Sequence, residues 1–274
     1  TTFNDQLPVG YKQKEVGVIP VDWEVKSLKD ICWVNQGLQI AIENRLQNPS
    51  SSSQVYITIQ YLNDGKNVEY INNYSQSVCC NINDILMTRT GNTGIVITGV
   101  KGVFHNNFFK INYDKRQVVK DFLVYYLKLH KTQKLILDKA GTSTIPDLNH
   151  HDFYSIPITL PPTKDEQTAI ANALSDADAL IQSLDRLITK KRQIKQGAMQ
   201  TLLNPYDVNG EIKEGWVEKS YGKVFDFLST AAYSRADLSS SDDYGYVHYG
   251  DIHTRWDGFI DFKTQQLPCI STIK

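Results

Sequence analysis

Residues 163–203 read TKDEQTAIANALSDADALIQSLDRLITKKRQIKQGAMQTLL, and this stretch decides the architecture. Pro161-Pro162 closes an extended segment just before it. Thr163 and Glu166 then form a T-x-x-E capping box, in which the Thr163 hydroxyl takes the Glu166 amide and the Glu166 carboxylate reaches back. Apolar side chains follow at Ile170, Leu174, Ala177, Ile181, Leu184 and Ile188, in alternating steps of four and three, the spacing of a coiled-coil seam. Acids (Asp165, Glu166, Asp176, Asp178, Asp185) fill the first half and bases (Arg186, Lys190, Lys191, Arg192, Lys195) the second, which suits the helix dipole. The stripe moves to Ile194, Ala198 and Leu202 before Asn204-Pro205 stops the helix. A helix of about 40 residues is roughly 60 Å long. It cannot bury its seam within itself, so a partner helix is expected.

Upstream, the periodicity changes. Short β-branched and aromatic runs punctuated by Gly, Asn and Asp predict strands at Val55–Tyr61, Asp84–Thr88, Gly94–Val100 and Phe108–Tyr113. Val118–Leu137 reads as an amphipathic helix with Phe122, Tyr125, Tyr126, Leu129 and Leu135 as core positions. Residues 1–162 therefore form an α+β domain, with Ser50–Ser53 as a loop inside it. Downstream, Gly17-Val18-Ile19-Pro20-Val21-Asp22-Trp23, followed by Lys26-Ser27, recurs as Gly210 to Trp216, followed by Lys219-Ser220. Tyr56-Ile57-Thr58-Ile59 has a weaker echo in Tyr246-Val247-His248-Tyr249. Residues 204–274 read as the start of a second, incomplete copy of the first domain.

The chain's 274 residues, 41% hydrophobic and 22% charged, exclude a wholly disordered chain. A formal charge of -1 argues at first against a nucleic-acid binder. The charge is unevenly spread, however: residues 1–162 carry 16 bases and 14 acids, 163–203 carry 6 and 5, and 204–274 carry 7 and 11. A mildly basic domain precedes an acidic tail. No apolar run approaches the roughly 20 residues of a membrane span, and Thr-Thr-Phe-Asn-Asp-Gln at the start is no secretory leader. A cytoplasmic protein is expected, with no membrane partner. Cys32, Cys79, Cys80 and Cys269 lack CxxC spacing and read as reduced structural thiols, with Cys79 and Cys80 on opposite faces of a strand.

No catalytic set emerges. His150-His151 are adjacent rather than one helical turn apart, and HExxH and GxxxxGK[ST] are absent. Asn204-Pro205-Tyr206 reads as a helix end. The expectation is a non-catalytic protein with no metal and no cofactor.

Three features together carry a resemblance. They are Gly17-Val18-Ile19-Pro20-Val21-Asp22-Trp23-Glu24-Val25-Lys26-Ser27-Leu28, the Gly91-Asn92-Thr93-Gly94 that follows Asp84–Arg89, and Ile156–Pro162 with Glu166-Gln167 and Ile170-Ala171. In this order, with the long helix and the repeat, the chain resembles the specificity (S) subunit of Type I restriction-modification enzymes. The resemblance implies a target recognition domain with a mixed β-sheet core at 1–162 and a long coiled-coil spacer helix at 163–203. Residues 204–274 would then be the start of a second recognition domain. It further implies reading of one half of a bipartite double-stranded DNA target and docking of methyltransferase (modification) subunits, with restriction subunits joining through the complex. Because only one helix is present, a homodimer through the spacer helix is expected, paired along Ile170, Leu174, Ala177, Ile181, Leu184 and Ile188. The alternative is a truncated subunit that acts as an assembly or dimerisation factor without reading DNA.

DNA reading needs cations for phosphates and amides, hydroxyls or guanidinium groups for base edges. Thr88, Arg89, Thr90, Asn92 and Thr93 supply these between two apolar strands, either as readers or as a hairpin turn facing water. Gln60 and Tyr61, the run His105-Asn106-Asn107, and Ser143 and Thr144 in a glycine-opened loop are further candidates. Lys66, Lys101, Lys110, Lys115 and Arg116 are candidate phosphate contacts.

Overall fold

The structure, a computed structural model, describes residues 7–66, 68–141, 145–226, 229–241, 243–256 and 259–271. The chain divides into two units, Thr1–Arg192 and Gln193–Lys274. The first begins with the hairpin β1 (Tyr11–Lys14) and β2 (Gly17–Pro20), then β3 (Glu24–Ser27), the single turn α1 (Leu28–Ile31) and β4 (Cys32–Gln36). Next come β5 (Gln54–Ile57), α2 (Ile59–Asp64), β6 (Glu69–Ile71), β7 (Cys79–Cys80), β8 (Ile85–Thr88), β9 (Val96–Ile97), β10 (Gly102–Phe104) and β11 (Phe108–Tyr113). The helices α3 (Lys120–Lys128), α4 (His130–Ala140) and α5 (His150–Tyr154) precede β12 (Pro157–Leu160) and the long α6 (Lys164–Leu202).

Two four-stranded sheets form the domain. The order β6-β5-β10-β7 is mixed, with a parallel β5–β10 pair among antiparallel ones, and β4-β11-β8-β9 is antiparallel throughout. Because successive side chains in a strand face opposite ways, each strand serves two layers. Ile57, Cys80, Leu86, Phe104 and Phe108 form one cluster between the sheets. Tyr56, Ile71, Val78 and Val103 face the other side of the first sheet, beneath Leu38 and Ile40. Ile85, Met87, Phe109 and Ile111 turn toward the helices and pack on Leu123, Leu127, Ile136 and Phe153. The adjacent thiols do part: Cys80 packs between the sheets and Cys79 on the outer cluster.

Several sequence expectations are corrected. The run Val55–Tyr61 is strand only to Ile57, because Thr58 accepts the Tyr61 amide and caps α2, which Gly65 ends in the left-handed region. Gly94–Val100 contributes only Val96–Ile97 to a strand. The helix expected over Val118–Leu137 is two helices, because Leu129 has an extended ψ of 132° between them. That joint resets the helical phase: Leu123, Val124, Leu127 and Ile136 are buried, whereas Leu129 is exposed. At the start of α6 the Glu166 amide bonds the Thr163 hydroxyl at 3.2 Å, but the Glu166 carboxylate takes the Trp23 indole N–H at 3.0 Å instead of reaching back.

The first turns of α6 are bolted to the domain. The buried Gln167 side chain accepts from the Val119 amide at 2.9 Å and donates to the Gln117 carbonyl at 3.0 Å. Ile170 and Ala171 pack on the helical layer, and the Tyr125 hydroxyl donates to Asp178 at 2.9 Å. Ile170 is thus core, not seam. From Asn172 to Leu202 every residue of α6 is exposed.

The second unit contains β13 (Tyr244–Gly245), α7 (Tyr249–Thr254) and β14 (Cys269–Ile270). Its contacts repeat those of the first. The Tyr56 hydroxyl donates to the Leu38 carbonyl at 2.6 Å and accepts from the Ile40 amide at 3.1 Å. Tyr246 likewise donates to the Ala231 carbonyl at 3.3 Å and accepts from the Tyr233 amide at 3.4 Å. Trp23 and Trp216 each donate their amide to the carbonyl three residues earlier, and His248 caps α7 as Thr58 caps α2.

Candidate nucleic-acid interface

Strand register gathers the polar candidates at one rim. Ile57, the last residue of β5, lies beside Phe104, the last of β10. Thr88, which ends β8, and Gln36, which ends β4, face Phe108 and Phe109 at the start of β11. The turn His105-Asn106-Asn107 joins the two sheets here. His105 donates its amide to Ile57 at 3.0 Å, Leu38 to Phe104 at 3.0 Å, and Arg89 to the Asn107 carbonyl at 2.7 Å. Loops after four strands are therefore tied backbone to backbone at this edge.

The segment Thr88–Thr93 is fastened to residues 146–148. The Arg89 guanidinium bonds Asp147 at 2.9 Å and the Leu148 carbonyl at 3.2 Å, lies over the Phe109 ring at 5.3 Å, and is only 14% exposed. The Thr90 hydroxyl donates to Asp147 at 2.5 Å, and that of Thr93 to the carbonyls of Pro146 and Arg89. The buried Thr88 hydroxyl donates to the Asn92 carbonyl and accepts from the Ile95 amide at 2.9 Å. Thr88, Arg89, Thr90 and Thr93 thus brace the loop from within, and Asn92 is the exposed side chain they present. Sequence alone does not pair Arg89 with a carboxylate 58 positions away.

Around the same rim, Gln60 is exposed on the first turn of α2, while Tyr61 packs into the cluster between the sheets. Asn106 donates to Gln39 at 3.1 Å, and Gln36 donates to the Asn106 carbonyl at 3.4 Å. These two glutamines escaped the sequence reading; their signal is Gln36-Gly37-Leu38-Gln39, a glycine between amides just after a strand. Lys66 lies beyond α2, past Gly65. Lys101 precedes β10 and Lys115 and Arg116 follow β11, so all three lie at the other end of the sheets. Arg116 forks onto Asp114, whose carboxyl is held well below its usual range by bonds from Arg116 and then Gln117. Lys110 donates to the Cys79 carbonyl at 2.8 Å. Ser143 and Thr144 lie outside the described residues. Among the described residues, no group of three His, Cys, Asp or Glu is placed to hold a metal ion, and no helix is long and apolar enough to cross a membrane.

His105 links this rim to pH. Its Nδ1 accepts the Asn107 amide at 3.1 Å, and burial, then the Arg45 guanidinium, push its pKa below the ordinary value. A depressed histidine pKa favours the neutral form in the fold, so its contribution is complete above about pH 6.5 and lost as pH falls. Melting temperature is expected to drop between about pH 7.5 and 5.5, with His105→Gln showing a shallower drop. Parallel pH profiles for the two proteins contradict this.

A two-sheet domain with an exposed polar rim, continued by a long helix with an exposed apolar seam, defines a recognition module on a spacer. The chain belongs to the Type I restriction modification DNA specificity domain family, whose model matches residues 20–196. The specificity subunit of the Type I restriction enzyme MjaVIII from Methanocaldococcus jannaschii is 28% identical over 221 residues, covering 77% of this chain and 51% of that one. The MjaIX specificity subunit of the same organism is 26% identical over 249 residues, covering 78% and 54%. The chain spans about half the length of the curated relatives it matches. The S subunit of a Type I restriction-modification system from M. genitalium superposes with a TM-score of 0.50 at 19% identity, covering 82% of this chain and 59% of that one. A chain from a study of complex assembly and conformational transition of the type I R-M system gives 0.55 at 14%, covering 68% and 45%. The fold is shared with these structures.

Proposed function

We propose that this chain is a non-catalytic DNA-reading specificity subunit of a Type I restriction-modification system. Residues 1–162 are the recognition domain and read one half of a bipartite duplex target, residues 163–203 are the spacer, and 204–274 open a second recognition domain. The observation that carries this reading is the rim: amide side chains from loops after β4, β5, β8 and β10 converge on a backbone that hydrogen bonds already hold. Amides suit base edges, and a rigid platform spares them the entropy of ordering on contact.

Methyltransferase subunits dock on this chain and restriction subunits join through that complex. Two copies pair through α6 into a cytoplasmic homodimer that reads a symmetric split site. With only two more bases than acids in residues 1–162, phosphate attraction is weak per copy and depends on duplication and on the partners.

Selection from randomised duplexes, with non-specific DNA as competitor, tests the reading. Enrichment of one defined half-site is expected; recovery of duplexes without sequence preference would sink it.

A further inference from the structure

We infer that Gln39 is a base-reading side chain that selects adenine in the major groove; the inference rests on the DNA-reading function proposed above. Its backbone is clamped on both sides. Leu38 donates its amide to Phe104 and gives its carbonyl to the Tyr56 hydroxyl, and the same hydroxyl takes the Ile40 amide. Gly37, just before, presses on β10 so closely that a Cβ there would stand 2.2 Å from the carbonyl oxygens of both Phe104 and His105. Gln39 is nevertheless exposed. It is a solvent-facing amide on a stretch of backbone with little freedom to move.

Its orientation is set as well. Asn106 donates from Nδ2 to the Gln39 Oε1 at 3.1 Å, and this is the one hydrogen bond of the Asn106 carboxamide among the described residues. Gln39 keeps both Nε2 hydrogens and a second lone pair on Oε1. That pattern, donor beside acceptor, complements N7 and N6 of adenine, whereas guanine offers two acceptors in the same place. Asn106 acts as a positioning residue.

The second unit supplies an internal control. There the Tyr246 hydroxyl clamps Ala231 and Tyr233 as Tyr56 clamps Leu38 and Ile40, and the exposed residue between them is Ala232. The frame is kept while the presented side chain changes from an amide to a methyl. The clamp therefore holds without an amide at this position, which suits a presented side chain better than one that holds the frame.

The test repeats duplex selection with the full chain as wild type, Gln39→Ala and Gln39→Glu. Wild type is expected to enrich a sequence with adenine at one fixed position. Gln39→Ala should lose about 5- to 100-fold of the discrimination there and keep the rest of the motif. Gln39→Glu, an acceptor only, should shift that position toward cytosine. The melting temperature of Gln39→Ala should stay within about 2–4 °C of wild type, because the side chain is exposed and only the Asn106 bond is lost. An unchanged motif in Gln39→Ala overturns the assignment while leaving DNA reading intact, as does loss of preference at every position at once. A wild type with no motif removes the reading itself.

Discussion

Exchanging Leu174, Ile181 and Ile188 for aspartate is expected to leave the chain monomeric at concentrations where, on the pairing proposed above, the wild type sediments as a dimer. These side chains are 43%, 57% and 48% exposed, on a stretch of α6 whose every residue is exposed and which meets the domain at Asp178 through the Tyr125 hydroxyl. With Ala177 and Leu184 they keep the four-three spacing that seats a second helix. A two-fold pair buries six of them, and each large aliphatic side chain contributes about 1.5–3 kcal/mol on burial. Together they supply on the order of 9–18 kcal/mol of gross burial against an association cost of about 4–15 kcal/mol, so replacing them with six unpaired carboxylates removes the driving force. The docked first turns at Gln167, Ile170 and Ala171 are untouched, so domain folding is expected to persist. An unchanged sedimentation mass would refute pairing along this seam.

Gly37→Ala is expected to destabilise the recognition domain by about 3 kcal/mol or more, at or beyond the upper end of overpacking costs. The added methyl meets two backbone oxygens at 2.2 Å, against an ordinary carbon–oxygen contact of about 3.3 Å. Neither side yields readily. Gly37 and Leu38 are both hydrogen-bonded across the same edge, and the opposing oxygens belong to the end of β10 and the first residue of its turn. At about 2–4 °C per kcal/mol for a domain this size, the melting temperature should fall by roughly 6–12 °C. A loss below about 1 kcal/mol would show that the rim rearranges freely, and the rigid platform would have to be abandoned.

Much of this architecture can be read from local pattern. The aromatic and β-branched run Phe108–Tyr113 marks a strand, and the T-x-x-E box with the Asn204-Pro205 stop marks α6 to within a residue at each end. The misreadings have physical causes. Ile59, Tyr61 and Leu62 look like strand residues until Thr58 and Gly65 are recognised as the two caps of α2. The break at Leu129 carries neither glycine nor proline, so nothing local announces it. At the rim, sequence singled out residues of the right type but not their loyalties. Arg89, the most conspicuous candidate, turns inward to Asp147 and Phe109, whereas Gln39 owes its importance to Tyr56 and Gly37, which no spacing rule connects to it.

β3 pairs with β12, so Ser27 stands opposite Pro157 and the recognition domain leaves the scaffold where it enters. Across that junction, Gln167 holds the domain only by the backbone carbonyl of Gln117 and the backbone amide of Val119. Main-chain groups are present whatever side chains surround them. This part of the junction is indifferent to the domain's side chains, whereas Ile170, Ala171 and Asp178 also meet the helical layer and the Tyr125 hydroxyl. A domain exchanged between Ser27 and Pro157 is therefore expected to seat on the helix where it keeps both the trace near 117–119 and an apolar layer under Ile170 and Ala171.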